Sequence, residues 1–230
     1  MKSGKNIAIV LAAGKGTRMG TEVPKQFIYI YDKPVLYYSL MAFQEHKLVD
    51  EIILVTSDMY KEYCQTEIID KYHISKVTKI VDGGAERYDS VISGLKACKD
   101  CEYVLIHDGA RPCITNDIID RCMEAVVRYN ACITGMPSKD TIKISDDEGF
   151  VSVTPKRKYV WNIQTPQVFS YELICRAYEH AAEYGMQGIT DDAMVLERLN
   201  EGKIRLVEGS YTNIKVTTPE DIKIVENLLK

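Results

Sequence analysis

Several features that would mark a specialised class of protein are missing from this sequence of 230 residues. It has no excess of positive charge. With 29 Lys and Arg against 33 Asp and Glu, its formal net charge of -4 excludes the broad basic face of a nucleic-acid-binding domain and leaves room only for a local basic pocket. It has no long hydrophobic run either. The longest apolar stretch near the N-terminus, Ile7–Ala13, is far too short to span a membrane, and Gly14-Lys15-Gly16-Thr17-Arg18 after it makes a poor cleavage region. The stretch therefore reads as a buried first strand, and the protein as cytoplasmic. The cysteines (Cys64, Cys98, Cys101, Cys113, Cys122, Cys132, Cys175) are odd in number and scattered, which argues for reduced thiols over a disulfide framework. Cys98 and Cys101 form a C-x-x-C with no second pair or histidine cluster to complete a zinc site, and read as a surface turn. Repeats, low-complexity tracts and linkers are also missing, so residues 1–230 are taken as one domain.

What is present is ordinary globular material, 46% hydrophobic and 27% charged, enough to bury roughly 70% of the unfolded surface. Short apolar runs alternate with amphipathic segments, the pattern of a mostly parallel, Rossmann-like α/β sheet flanked by crossover helices. β-Branched clusters place strands near Ile7–Leu11, Glu51–Thr56, Lys76–Val81, Tyr103–His107 and Ala131–Met136. Helical spacing covers Glu86–Ala97, Asp117–Arg128, Tyr171–Tyr184, Asp192–Asn200 and Glu220–Leu229. The last opens on Thr218-Pro219-Glu220-Asp221, a capping residue followed by proline and acids. One region breaks the rhythm: Thr141–Ser145 and Phe150–Thr154 alternate around Asp146-Asp147-Glu148-Gly149, the signature of a hairpin. Such a ribbon, at about 138–158, is marginal alone and needs a surface to lie on, either its own domain or a second subunit.

The chemistry concentrates after the first strand, where an open parallel sheet binds ligands. Gly14 and Gly16 let backbone N–H groups approach an anion without a Cβ in the way, and Arg18 and Lys25 flank the loop with the charge a triphosphate requires. The segment lacks the G-K-[ST] ending of a Walker A loop, and Met19 stands where the third glycine of a dinucleotide fingerprint belongs. Asp108 ends the apolar strand Tyr103–His107 at the ligand-binding edge and is the first choice as a Mg²⁺ ligand, since Mg²⁺ takes one or two carboxylates with phosphate and water. No persuasive Ser-His-Asp or Cys-His arrangement occurs.

Taken in order, Ala12-Ala13-Gly14-x-Gly16-x-Arg18-Met19 with Pro24-Lys25-Gln26, Asp82-Gly83-Gly84-x-x-Arg87-x-x-Ser90-Val91, His107-Asp108-Gly109-Ala110-Arg111-Pro112, Asp140-Thr141-Ile142-Lys143, Gln164-Thr165-Pro166-Gln167, Thr190-Asp191-Asp192 and Asn213-Ile214-Lys215-Val216-Thr217 resemble the 2-C-methyl-D-erythritol 4-phosphate cytidylyltransferases, sugar-phosphate nucleotidyltransferases of the non-mevalonate isoprenoid route. The resemblance runs from about Ile7 to Leu229. It implies attack of a polyol phosphate on the α-phosphorus of CTP with loss of pyrophosphate. Because a phosphate monoester has a second pKa near 6, its oxygen needs no base. The resemblance also implies site residues. Arg18 and Lys25 would contact the triphosphate and stabilise charge at the α-phosphate, while Arg157 and Lys215 would hold the attacking phosphate. Ala12, Ala13, Gly14, Gly84, Ala85 and Ser90 would form the base pocket, with Gly109, in a position where alanine is frequent, sparing backbone contacts. Asp108 would meet the substrate hydroxyls, Arg111 would pair with Asp108 or hold the loop, and Thr165 and Thr190 would be secondary contacts, Thr190 otherwise capping a helix. His107 reads as structural. In the family the arm crosses to a partner, so Thr141 and Arg157 would complete the neighbour's site in a homodimer. Two alternatives remain at this point: the sister activity on ribitol 5-phosphate, and a silent CTP-binding or arm-mediated interaction protein.

Overall fold

In this protein, described by a computed structural model over residues 4–14 and 23–230, the aliphatic runs pair into a seven-stranded sheet. Its strands are β1 (Lys5–Leu11), β4 (Glu51–Thr56), β5 (Val77–Asp82), β6 (Cys101–Asp108), β7 (Ala131–Pro137), β10 (Trp161–Ser170) and β11 (Arg205–Glu208), in spatial order β11-β7-β10-β6-β1-β4-β5. Two small ribbons supply the remaining strands: β2 (Tyr29–Ile30) with β3 (Lys33–Pro34), and β8 (Ile144–Ser145) with β9 (Val151–Val153). In the large sheet β10 alone runs against its neighbours β6 and β7, and the other observed pairings are parallel.

Both faces of the sheet are covered, which is why its central strands read as unbroken apolar runs. Along β1, Ala8 and Val10 point to one face and Ile7 and Ile9 to the other, and Ile52 and Leu54 of β4 oppose Ile53 and Val55 in the same way. The first face packs against α1 (Val35–Glu45), through Leu36, Leu40 and Phe43, and against α4 (Asn116–Tyr129), through Ile118, Ile119, Cys122 and Val126. On that face a one-turn helix α2 (Lys61–Tyr63) continues into a π-helical stretch (Cys64–Asp70). The second face packs against α3 (Arg87–Ala97), α5 (Tyr171–Tyr184) and α6 (Asp192–Leu199). Each fully buried Ile, Leu or Val contributes roughly 1.5–3 kcal/mol of transfer free energy, so the two layers supply most of the drive to fold. The last helix, α7 (Pro219–Leu228), has the start its sequence implies: Asp221 Oδ2 accepts from the backbone N–H groups of Thr217 (2.7 Å) and Thr218 (2.9 Å) in a capping box.

The expected strands and helices are present, with ends shifted by a residue or two in the large sheet and its helices, and with the first arm strand shortened from Thr141–Ser145 to Ile144–Ser145. Three strong elements carried no clear pattern. β10 holds Pro166, which lacks a ladder donor, and the pairing with β7 is irregular between Ile163 and Gln167. α1 follows Pro34 with an almost wholly apolar start, and β11 is only four residues long. The C-x-x-C differs from the open surface turn its sequence suggests: Cys98 is buried, Cys101 is half-buried, and both pack into the α3–α5 layer as free thiols. The hairpin forms at the expected place. Asp146 Oδ1 accepts from Glu148 N (3.1 Å) and Phe150 N (2.8 Å), and Gly149 takes a φ of +89°.

α3 crosses β1 at Gly94, where a Cβ would stand 2.6 Å from Ile9 Cγ2 and 3.3 Å from Val55 Cγ2. Alanine improves helix propensity by about 1 kcal/mol, but overpacking against two buried, stiff β-branched residues costs about 1–3 kcal/mol. Gly94→Ala is therefore expected to lower the urea midpoint despite the better helix former; an unchanged or higher midpoint would show that α3 can move off the sheet freely.

Candidate functional site

A cleft of about 270 Å³ opens at the carboxyl ends of β1, β5 and β6, lined by the segments 11–14, 25–26 and 84–87 with Ser90, Asp108, Ala110, Lys215 and Thr217. Backbone hydrogen bonds fix the loops leaving these strands. Ala12 N donates to Val55 O (2.7 Å), Gly83 N to Thr56 O (2.8 Å), Gly109 N to Leu11 O (2.8 Å) and Val216 N to Ala110 O (2.8 Å). The loop after β5 passes so close to the loop after β1 that a Cβ on Gly83 would collide with Ala13. Gln26 is buried in the single 3-10 turn Lys25–Phe27 and donates its amide to Ala12 O (2.6 Å) and Gly14 O (3.1 Å). It thereby ties the segment carrying Lys25 to the end of β1. Ser90 organises the facing wall, its hydroxyl accepting from Gly84 N (3.1 Å) and lying 3.3 Å from Glu86 O.

The electrostatic centre of the cleft is Asp108. Lys215 Nζ lies 2.7 Å from its Oδ2, Arg87 Nε 3.3 Å from its Oδ1, and Arg111 Nε 3.8 Å from its Oδ2. Burial pushes the carboxyl toward protonation, but the charges of Arg87, Lys215 and Arg111 outweigh it and hold the pKa well below the usual carboxylate range. Burial lowers Arg111 from its ordinary value, whereas for Arg87 the two carboxylates, Asp192 and Asp108, overcome burial and raise it. Asp108, Arg87 and Arg111 therefore stay charged. Behind Asp108, Thr165 Oγ1 accepts from Asp108 N (3.0 Å) and contacts His107 Nδ1 (3.1 Å), while His107 Nε2 faces Arg111 O (3.3 Å). Burial pushes His107 down to about 3, so the ring is neutral and fixed between two partners, a structural histidine as its sequence context implied.

The sequence-derived residues divide into groups. Ala12, Ala13, Gly14, Lys25, Gly84, Ala85, Ser90, Asp108 and Lys215 line one cleft. Gly16 and Arg18 lie outside the described residues. Gly109 is buried behind the wall, where a Cβ would come within 2.9 Å of Leu11 O and of Leu36 Cδ1, so it serves packing. Arg111 does both things foreseen for it: it faces Asp108 and donates Nη1 to Asn213 O (2.8 Å), holding the loop. Thr190 is exposed with its hydroxyl 3.1 Å from Met194 Sδ, and the helix cap is Asp191, which accepts from Met194 N (3.0 Å). Thr141 and Arg157 lie at the base of the arm, are exposed, and do not line their own chain's cleft; Arg157 Nη1 donates to Lys139 O (3.2 Å). The sequence reading gave no role to Gln26, Arg87 or Asp192. Gln26 sits inside a recognised motif, so position beside Lys25 was a usable signal. Nothing in the sequence joins Arg87 to a residue 105 positions away.

A mostly parallel sheet with small-residue loops at its carboxyl edge, and cations gathered round one carboxylate, defines a nucleotide-binding transferase of the α/β class. The pattern of the 2-C-methyl-D-erythritol 4-phosphate cytidylyltransferase family matches residues 6–230, and the chain belongs to that family. It is 52% identical over 226 residues to the 2-C-methyl-D-erythritol 4-phosphate cytidylyltransferase of Lachnospira eligens, covering 98% of this chain and 99% of the relative. It is 49% identical over 224 residues to that of Caldanaerobacter subterraneus subsp. tengcongensis, covering 97% and 98%. Among solved structures, the 4-diphosphocytidyl-2C-methyl-D-erythritol synthase of Anaerococcus prevotii superposes with a TM-score of 0.86 at 35% identity, over 99% of both chains.

Gln26→Leu keeps the bulk but removes the amide that ties the buried Ala12 O to the exposed Gly14 O. A hydrogen bond contributes about 0.5–1.5 kcal/mol net, so losing both is expected to lower CTP affinity measured by calorimetry roughly tenfold. Unchanged affinity would show that the Ala12–Gly14 backbone is held without Gln26.

Proposed function

We propose that this protein joins CTP to 2-C-methyl-D-erythritol 4-phosphate, releasing pyrophosphate and forming 4-diphosphocytidyl-2-C-methyl-D-erythritol, an isoprenoid precursor. The observation that carries this reading is the ionised Asp108 ringed by Lys215, Arg87 and Arg111 at the mouth of a cleft built for a nucleotide. A phosphate oxygen of the polyol phosphate, already ionised near neutral pH, attacks the α-phosphorus in line. The new O–Pα bond forms as the bond to the β-phosphate oxygen breaks, and pyrophosphate leaves with the electron pair. No general base is needed, so catalysis rests on positioning and charge neutralisation.

In this reading Ala12, Ala13, Gly14, Gly84, Ala85 and Ser90 hold the base, and Gly16, Arg18 and Lys25 hold the triphosphate, the two cations acting on the charge that develops at the α-phosphate. Lys215 and Arg157 orient the attacking phosphate, while Asp108, Arg111, Thr141 and Thr190 surround the polyol phosphate; Thr165, buried behind Asp108, holds that residue's backbone in place of the direct contact expected of it. The donor set suits Mg²⁺ carried in by the triphosphate. Among the described residues there is no group of three or more His, Cys, Asp or Glu able to hold a metal; Asp108 and Glu86 both line the cleft, and Asp108 is the one ringed by cations. Mg²⁺ readily takes its remaining ligands from phosphate and water. When bound, it supplies charge neutralisation on the triphosphate and the departing pyrophosphate. The catalytic unit is the whole chain as one domain, cytoplasmic in keeping with its substrates; among the described residues no helix is long and apolar enough to cross a membrane.

The arm is assigned to a homodimer. Ile144, Phe150, Val151 and Val153 expose much of their apolar surface on a ribbon too small to be stable alone, and Thr141 and Arg157 at its base would enter the partner's cleft.

Two experiments test this reading. Pyrophosphate release with CTP and Mg²⁺ is expected with methylerythritol 4-phosphate, and Arg18→Ala or Lys25→Ala is expected to cut kcat by roughly 100-fold, the scale of losing a transition-state charge donor. Turnover only with ribitol 5-phosphate would move the same mechanism to another substrate. Separately, the double substitution Val151→Asp with Val153→Asp is expected to give a monomer by sedimentation with activity down by about tenfold or more, since charge is costly to bury in an apolar contact. A fully active monomer would remove the arm from the site.

A further inference from the structure

Arg87 is more than one of three cations around Asp108, because its guanidinium is already committed elsewhere. Nη1 and Nη2 form a fork on Asp192, 2.8 Å to Oδ1 and 2.8 Å to Oδ2, while Nε turns to Asp108 Oδ1 at 3.3 Å. The Asp192 side chain is wholly buried, whereas that of Arg87 keeps 27% of its surface exposed on the cleft wall. A buried carboxylate is tolerated only with its charge and lone pairs satisfied, and Asp192 meets both conditions. Tyr178 Oη donates to its Oδ1 (2.7 Å), and the carboxylate sits in the first turn of α6, where negative charge is favoured. Gln167 Oε1 accepts from both Asp192 N (3.0 Å) and Ala193 N (3.0 Å), so β10 clamps the start of that helix. Two residues earlier in β10, Thr165 holds the backbone of Asp108. One strand therefore sets both carboxylates between which Arg87 is stretched.

The charges in this connected group do not cancel. Arg87, Arg111 and Lys215 face Asp108 and Asp192, three cations against two carboxylates, which leaves one positive charge in surplus. Arg87 is neutralised from behind by Asp192, and Arg111 is held by Asn213 O in a buried position. Lys215, paired with Asp108 at 2.7 Å, has the most exposed side chain of the three cations at 34% and lines the cleft, so it is the one an incoming anion meets.

We infer that Arg87, anchored by Asp192, is a positioning residue for the polyol-phosphate half of the reaction: its fork on Asp192 keeps it from drawing Asp108 away, so that Asp108 presents Oδ2 to Lys215 and holds Lys215 where it receives the attacking phosphate. The inference rests on the proposed function and goes beyond it by giving the buried Arg87–Asp192 pair a task in selecting the second substrate. Neither residue reaches the reacting atoms; both act through Asp108 and Lys215. If Asp192 loses its charge, the guanidinium has only Asp108 left as a carboxylate partner in contact and competes with Lys215 for it.

The test uses Asp192→Asn and Arg87→Lys in the full-length protein, with KM for each substrate, kcat and Tm measured together. Asp192→Asn is expected to raise KM for methylerythritol 4-phosphate about tenfold while KM for CTP stays within about twofold of the parent, since the residues assigned to the base and triphosphate are untouched. Arg87→Lys keeps the charge but cannot fork onto Asp192 and reach Asp108 at once, and is expected to shift the same constant in the same direction. A purely structural lesion would lower Tm and the active fraction and leave both KM values in place. Should Asp192→Asn fail to fold, Arg87→Lys decides: an unchanged KM for the polyol phosphate, or an equal rise in both KM values, overturns the inference. A parent protein that is silent with methylerythritol 4-phosphate sinks the proposed function and this inference with it, whereas an active parent with indifferent variants sinks the inference alone.

Discussion

An ionised carboxylate at the end of an almost fully buried strand holds this site together. Alone, Asp108 at that depth would protonate or unfold its surroundings, because desolvating a charge costs several kcal/mol. It stays charged because three cations reach it from three separate parts of the chain: Arg87 at the start of α3, Arg111 in the loop after β6, and Lys215 between β11 and α7. The carboxylate therefore draws together segments that no sheet pairing joins. The loop after β6 also meets the Lys215 segment through Val216 N and Ala110 O, and through Arg111 and Asn213 O. The same contacts that hold the fold at this edge set the spacing of the cations, so the geometry of the site is a consequence of keeping one buried charge neutralised.

That arrangement suits a reaction whose nucleophile arrives ready. A site built for proton abstraction would keep a group poised to titrate near neutral pH, and the side chain best placed for that, His107, is instead buried, neutral and used on both ring nitrogens. What the cleft offers is fixed charge with partners that a phosphate can replace. Lys215 is held at 2.7 Å by a carboxylate in the free protein, which keeps the ammonium extended into the cleft and spares part of the ordering cost when a phosphate oxygen takes over.

How much of this was legible in the sequence depended on range. Local rules located β4 and α5 to the residue, the capping box at Thr218 and the hairpin tip at Asp146–Gly149, because turn chemistry and periodicity act over a few positions. β10 escaped because a proline interrupts it and because an antiparallel strand in a parallel sheet follows from what flanks it, not from its own pattern. The candidate site divided the same way. Glycine-bearing loops after strands, a carboxylate at a strand end and the cation Lys25 flanking the first loop were readable from position, whereas Lys215 entered only through the family resemblance. The fork from Arg87 to Asp192 was not, since a charge in the motif after β5 and an aspartate at a helix start each have adequate local explanations. The thiol pair Cys98 and Cys101 shows the opposite error, a local turn read correctly and its burial under α5 missed.

The arm raises a question of economy that the rest of the fold sharpens. Six of the seven sheet strands share one direction, and the seventh, β10, is reached only after the chain has left the sheet at Pro137, made the ribbon of β8 and β9, and returned. A short connection would have joined β7 to an antiparallel neighbour directly. The excursion instead places two polar residues, Thr141 and Arg157, at the root of the ribbon and leaves its apolar side chains bare, and in the proposed homodimer a second copy covers them. On the proposed reading the return strand then does a second task, since β10 carries Thr165 and Gln167, which fix Asp108 and the α6 start. The segment assigned to a neighbour in that proposal thus comes back through the two contacts that set its own cleft, so the arm and the Asp108 site are joined by one continuous strand.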